Sequence, residues 1–173
     1  MSLTRRTVLA LGAAATAGLA GCSSQPAGQP VQLSVESLWV RTTEGATMPD
    51  MSAAFMTLVN PGTADVRLVA ASSPVAGMCQ LHEMVKGSDG TIVMQEAPNG
   101  ITVPAGAHVH LVPSGYHVML MGLKEPLPVG AEVALELELS NGQRLSVKAP
   151  VKLFTEEEDH YHSQSPSPAP PRG

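Results

Sequence analysis

An all-β fold, a Greek-key β-sandwich of eight or nine short strands, is predicted for this 173-residue chain by three observations. No apolar period of 3.6 residues is sustained beyond Val31. Strict alternation recurs instead, most clearly in Val133, Leu135, Leu137 and Leu139 interleaved with Ala134, Glu136 and Glu138. Turn-forming clusters divide the apolar runs at short intervals, as sandwiches and barrels require. Two cysteines cannot build a disulfide scaffold or a zinc site of Cys-x-x-Cys pairs, so an apolar core has to hold the fold.

Residues 1–21 stand outside that fold. Arg5 and Arg6 precede a twelve-residue apolar run, Val8 to Leu19, too short to span a bilayer but suited to a cleaved export signal. The run ends in Leu19-Ala20-Gly21-Cys22, which resembles a bacterial lipobox. In that reading Cys22 becomes the lipidated first residue of the mature protein, anchored at the outer face of the cytoplasmic membrane or in the periplasm. The paired arginines also resemble a twin-arginine signal. Residues 22–30 then form the lipid-anchored tether, whose eight polar residues from Ser23 to Pro30 reach roughly 26 Å at about 3.3 Å per residue.

The folded domain is expected over 31–154. Strand candidates lie near 31–40, 53–60, 65–72, 76–85, 91–95, 109–111, 116–123, 133–140 and 143–149. Asn60-Pro61-Gly62 separates the second from the third, and Ser88-Asp89-Gly90 the fourth from the fifth. Pro113-Ser114-Gly115 precedes the strand at 116–123, and Asn141-Gly142 reads as a hairpin turn between the last two. Trp39, the single tryptophan, is expected in the core, and Met48 and Met51 in a loop beside Pro49. Residues 155–173 are acidic and then Pro/Ser-rich, the composition of a disordered tail.

Composition narrows function. Ten basic against fifteen acidic residues give a net charge of −5, and −7 once the two signal arginines are removed. No basic surface for nucleic acid follows from that balance. With Cys22 acylated, Cys79 is the one remaining thiol.

Four of the six histidines and most of the nine methionines lie between residues 78 and 121. In Leu81-His82-Glu83-Met84-Val85 the spacing of two puts His82 and Met84 on one face of a strand. In the segment 116–121, His117, Met119 and Met121 share a face opposite Val118 and Leu120. Met94 sits in a third strand candidate. Thioether is a soft neutral ligand and imidazole a borderline one, a combination that suits Cu(I) and offers little to Zn(II), Mg(II) or Ca(II). Methionine also fills gaps in cores, so these residues alone leave a metal site and a Met-rich core both open.

The segments Ala53–Asn60, Ala64–Met84 and Val103–Leu127 resemble the PCu(A)C family of periplasmic copper chaperones. The family pattern is a His, a Met about eleven residues on, and His-x-Met some twenty residues later. Here eleven residues separate His82 from Met94, and twenty-two separate Met94 from His117. Many members carry Met directly after the first His, where this chain has Glu83 and then Met84. The resemblance implies a cupredoxin-like (immunoglobulin-like) sandwich that presents Cu(I) through His82, Met94, His117 and Met119. Met84 and Met121 are auxiliary neighbours. It also implies delivery to an acceptor, either another copper chaperone or the copper A centre of cytochrome c oxidase, with no catalytic cycle.

Other donors are discounted. Cys79-Gln80-Leu81-His82-Glu83-Met84 has the Cys, His, Met order of a blue-copper electron-transfer site, but no His precedes residue 82. Cys79, three residues from His82, points to the other face. His108 and His110 alternate with Val109 and Leu111 and are expected to face solvent. His160 and His162 in the acidic tail offer at most a loose Cu(II) site.

Overall fold

A computed structural model describes residues 33–154. The export signal, Cys22, the tether and the tail with His160 and His162 lie outside the described residues.

Ten strands form the domain, one more than the nine candidates. They are β1 (Ser34–Arg41), β2 (Met51–Val59), β3 (Val66–Ser72), β4 (Met78–Lys86), β5 (Ile92–Glu96), β6 (Ile101–Val103), β7 (His108–Leu111), β8 (His117–Met121), β9 (Glu132–Leu139) and β10 (Arg144–Lys152). The strand missed from the sequence is β6, three residues long, whose Ile101 and Val103 are fully buried. Its Ile-Thr-Val alternation between Gly100 and Pro104 is the signal that could have found it. Gly100 has a φ of +72°, and a Cβ there would overlap the Leu68 carbonyl oxygen.

The strands run β5-β4-β8-β2-β1-β10-β9-β3-β6. Strand β10 joins two layers: Arg144–Pro150 pair antiparallel with β9, and Val151–Lys152 pair parallel with the end of β1. The first sheet is therefore β5-β4-β8-β2-β1, and the second is β10-β9-β3-β6. Strands β7 and β8 lie end to end along one edge of β2, opposite Met56–Val59 and Met51–Ala54 respectively. Met51 thus opens a strand and is not a loop residue.

Alternation sets the core. Val133, Leu135, Leu137 and Leu139 of β9 pack with Leu68 of β3 against Ala54, Leu81, Val118 and Leu120 of the first sheet. Asn60 is fully buried just beyond β2. Its Nδ2 donates to the carbonyls of Ala64, Val103 and Pro104 at 2.9–3.1 Å, and its Oδ1 accepts from Gly62 N–H. The β2–β3 loop is thereby pinned to the end of β6.

The outer face of the first sheet carries a second cluster: Trp39, Ala53, Phe55 and Met119, with Met51, Met121 and Phe154 against it. Trp39 is buried here and not in the main core, and the cause is a bulge. Glu36 opposes Thr57 and Trp39 opposes Phe55, so β1 spends an extra residue at this point, with Ser37 at a φ of 51°. Side-chain parity flips across it. Val35 faces the core before the bulge and Val40 after it, leaving Trp39 to stack over Phe55 at 4.6 Å.

Candidate metal centre

Strands β4, β8 and β5 assemble the site on that outer face. Leu81, Val118 and Leu120 point into the main core, so His82, His117 and Met119 must point the other way. Register then makes neighbours of residues far apart in sequence: His82 stands directly opposite His117, Gln80 opposite Met119, and Met84 opposite Met94.

His117 opens β8 and is 4% exposed. Its Nδ1–H donates to the Gly115 carbonyl at 3.1 Å. That bond fixes the tautomer and leaves Nε2 with a bare lone pair. Nε2 faces the Met94 sulfur at 3.3 Å. Neither atom brings a proton to that contact, so two donors converge with nothing between them. Donors that close can share one soft ion.

His82 repeats the arrangement. Its Nε2–H donates to Gln80 Oε1 at 3.2 Å, while Nδ1 is buried with no hydrogen-bond partner. The two rings lie edge to face with centroids 5.8 Å apart. A buried bare nitrogen is costly unless something supplies it with a partner. Each imidazole is thus held at one nitrogen by an oxygen and left open at the other.

The surroundings favour the neutral imidazole. Burial pushes the His117 pKa below its ordinary value; the Gly115 bond partly opposes this, and the nearby His82 adds to it. The Phe55 ring lies 6.2 Å from the His117 ring, and Met119, 8% exposed, packs beneath Trp39 and Phe55. Met94 is 46% exposed on the edge strand β5, so the site is closed by aromatics on one side and open through Met94 on the other.

The structure therefore brings His82, His117 and Met94 together, and sets Met119 next along β8 on the same face. Met84 lies across from Met94. Met121 is a further step along β8, opposite Met51 and Met78 and away from the histidine pair. Sequence reasoning missed Gln80, which orients His82, and Phe55, which covers His117; the spacing of two in Gln80-His82 was the available signal. Glu83 faces away and accepts from Gln95 Nε2 at 2.9 Å.

The discounted donors stay apart. Cys79 packs half-buried against the main core on the opposite face, and burial raises its thiol pKa. On β7, His108 is exposed as expected, but His110 is half-buried with Nδ1 3.0 Å from Thr57 Oγ1. Among the described residues no three His, Cys, Asp or Glu side chains gather as a metal would need.

Methionine placement bears on the core alternative. Of the eight methionines between residues 33 and 154, only Met56 lies in the main core. Six others (Met51, Met78, Met84, Met94, Met119 and Met121) fall on one face of one sheet. A gap filler would be distributed the other way.

Residues 33–151 match the family model described as LpqE-like, a lipoprotein family. The chain is 38% identical over 156 residues to Lxx21020 of Leifsonia xyli subsp. xyli, named as a lipoprotein; the match covers 86% of this chain and 91% of that one. Among solved structures, apo-DR1885 of Deinococcus radiodurans is 31% identical, with a TM-score of 0.55 over 90% of this chain and 99% of that one. Its Cu(I) form is 35% identical, with a TM-score of 0.54 over 75% and 85%. The copper-bound PCuAC domain of PmoF2 is alike in fold, at 20% identity and a TM-score of 0.57 over 73% and 97%. An all-β sandwich with the PCuAC fold, matched by sequence along nearly all of its strands, places this chain in the LpqE-like lipoprotein family.

Proposed function

We propose that this protein is an exported, lipid-anchored copper chaperone that carries one Cu(I) between His82, Met94, His117 and Met119 and passes it to an acceptor protein. The observation that carries this reading is the pair of imidazoles, each pinned through one nitrogen and bare at the other, with the bare His117 nitrogen 3.3 Å from the Met94 sulfur. The Cu(I) form of DR1885 and the copper-bound PmoF2 domain support it from outside the chain. Two imidazoles and two thioethers add no charge, so a monovalent soft ion is held without the grip of thiolate. Transfer requires no chemistry beyond ligand exchange. Met94, exposed on an edge strand, leaves first, and an acceptor ligand takes its place while the histidines still hold the ion. A subunit of cytochrome c oxidase, at its copper A centre, is the acceptor this reading favours.

The site contains no thiolate, because Cys79 faces the core, so a blue-copper electron-transfer role has no support in its geometry. The test is competition against a calibrated Cu(I) chelator under anaerobic conditions. The wild-type chain is expected to hold Cu(I) at this site, and the His82→Ala/His117→Ala double variant to lose it. Undiminished affinity in the folded double variant refutes the assignment.

A further inference from the structure

Three methionines outside the histidine pair lie in a single row across the first sheet. Met51 of β2 stands directly opposite Met121 of β8, which stands directly opposite Met78 of β4. Their side chains share the outer face, because Ala54, Leu81, Val118 and Leu120 fill the inner one. Directly opposed residues have Cβ atoms about 4.5–5.5 Å apart, so three flexible thioether arms can meet above the central Met121. Met51 and Met121 are half-buried against the Trp39–Phe55–Met119 cluster, while Met78 is 53% exposed. Sulfur is thus presented at the surface on one side and backed by aromatic rings on the other, a setting that also favours a cation.

We propose that Met51, Met78 and Met121 form a second, thioether-only site for a monovalent soft cation, Cu(I) or Ag(I). The inference is carried by strand register and does not depend on the His/Met site. Three leucines would cover the same surface; what methionine adds is a soft, uncharged lone pair at each arm. Zn(II), Mg(II) and Ca(II), which need nitrogen, oxygen or thiolate donors, are not held by such a set. Met121 is two residues from Met119 on the same face, about 7 Å along the strand. The row therefore stands about 13 Å from His117 along β8, with Met119 between the two.

The experiment uses the full chain labelled with ¹³C at the methionine methyl groups and titrated with Ag(I), a redox-inert probe of this donor chemistry. In the His82→Ala/His117→Ala variant, Ag(I) is expected to shift the Met51, Met78 and Met121 methyls together. In the Met51→Leu/Met78→Leu/Met121→Leu variant, the Met94 and Met119 methyls still respond and the stoichiometry is one ion lower than in wild type. Methyls of Met51, Met78 and Met121 that stay unmoved in the double-His variant overturn the proposal, as does unchanged stoichiometry in the triple variant. Should the triple variant not fold, Met78→Leu alone, at an exposed position, is expected to weaken that site by about tenfold. Unchanged affinity there counts against the row. Failure of the His/Met site reads out separately, as Met94 and Met119 methyls that never move.

Discussion

Lowering the pH tests the histidine pair by counting protons. Copper binding needs the bare nitrogen of each imidazole, and protonation occupies it, whereas thioether does not titrate. Two imidazole ligands give a limiting slope of about two decades of Cu(I) affinity per pH unit, about 2.7 kcal/mol, once both are protonated in the free protein. Burial holds the His117 pKa below the ordinary imidazole value of about 6.5, so its share of the slope appears only below that value. Affinity is therefore expected to be flat from pH 8 to 7 and to fall with increasing steepness toward pH 5. The assay is anaerobic competition against a Cu(I) chelator, corrected for the chelator's own protonation. His82→Ala should halve the limiting slope as well as lower the affinity. An affinity that stays flat from pH 7 to 5, or a slope unchanged in His82→Ala, refutes the two-imidazole site. The same shift affects folding. The folded pKa of His117 is depressed, so its contribution to apo stability is full above the unfolded value near 6.5 and is lost as pH falls through the folded value. Apo-protein thermal midpoints should fall over that window, and a midpoint that rose as the pH dropped would contradict the burial argument.

Substitutions at three positions follow from the packing. Met119→Leu keeps the volume beneath Trp39 and Phe55 and should cost less than about 1.5 kcal/mol in denaturant unfolding while lowering Cu(I) affinity at least about tenfold; Met119→Ala, at an 8% exposed position, should cost about 2 kcal/mol or more and confounds the two readouts. Gln80→Leu removes the acceptor that orients His82 and should weaken Cu(I) by about two- to tenfold, from the roughly 0.5–1.5 kcal/mol of one neutral hydrogen bond; unaltered affinity would show that the bond does not position the ring. Asn60→Ala strips partners from three carbonyls and one N–H and should destabilise the domain by about 3 kcal/mol, with Cu(I) affinity measured on the folded fraction unchanged.

The period of two along each strand was enough to sort side chains by face, because strand geometry is local. It placed Val118 and Leu120 opposite His117 and Met119, paired His82 with Met84, turned Cys79 away, and marked Val133 to Leu139 as core. Proximity between faces is a different matter. That His82 opposes His117, and that Met51, Met121 and Met78 form a row, depends on strand order and register, which nonlocal hydrogen bonds set and no local pattern records. Of the local readings that failed, two show the reason most clearly. Strand β6 is too short for alternation to stand out, and it is defined by its pairing with β3. Trp39, the single tryptophan, is expected in the core, but the bulge at Ser37 shifts its facing by one residue. That one-residue shift moves the largest aromatic side chain from the main core to the outer face that carries the candidate metal centre. Residue chemistry and facing were therefore written into the chain by local geometry, while the meeting of the two imidazole rings and of His117 with the Met94 sulfur came only from the way the sheet is assembled.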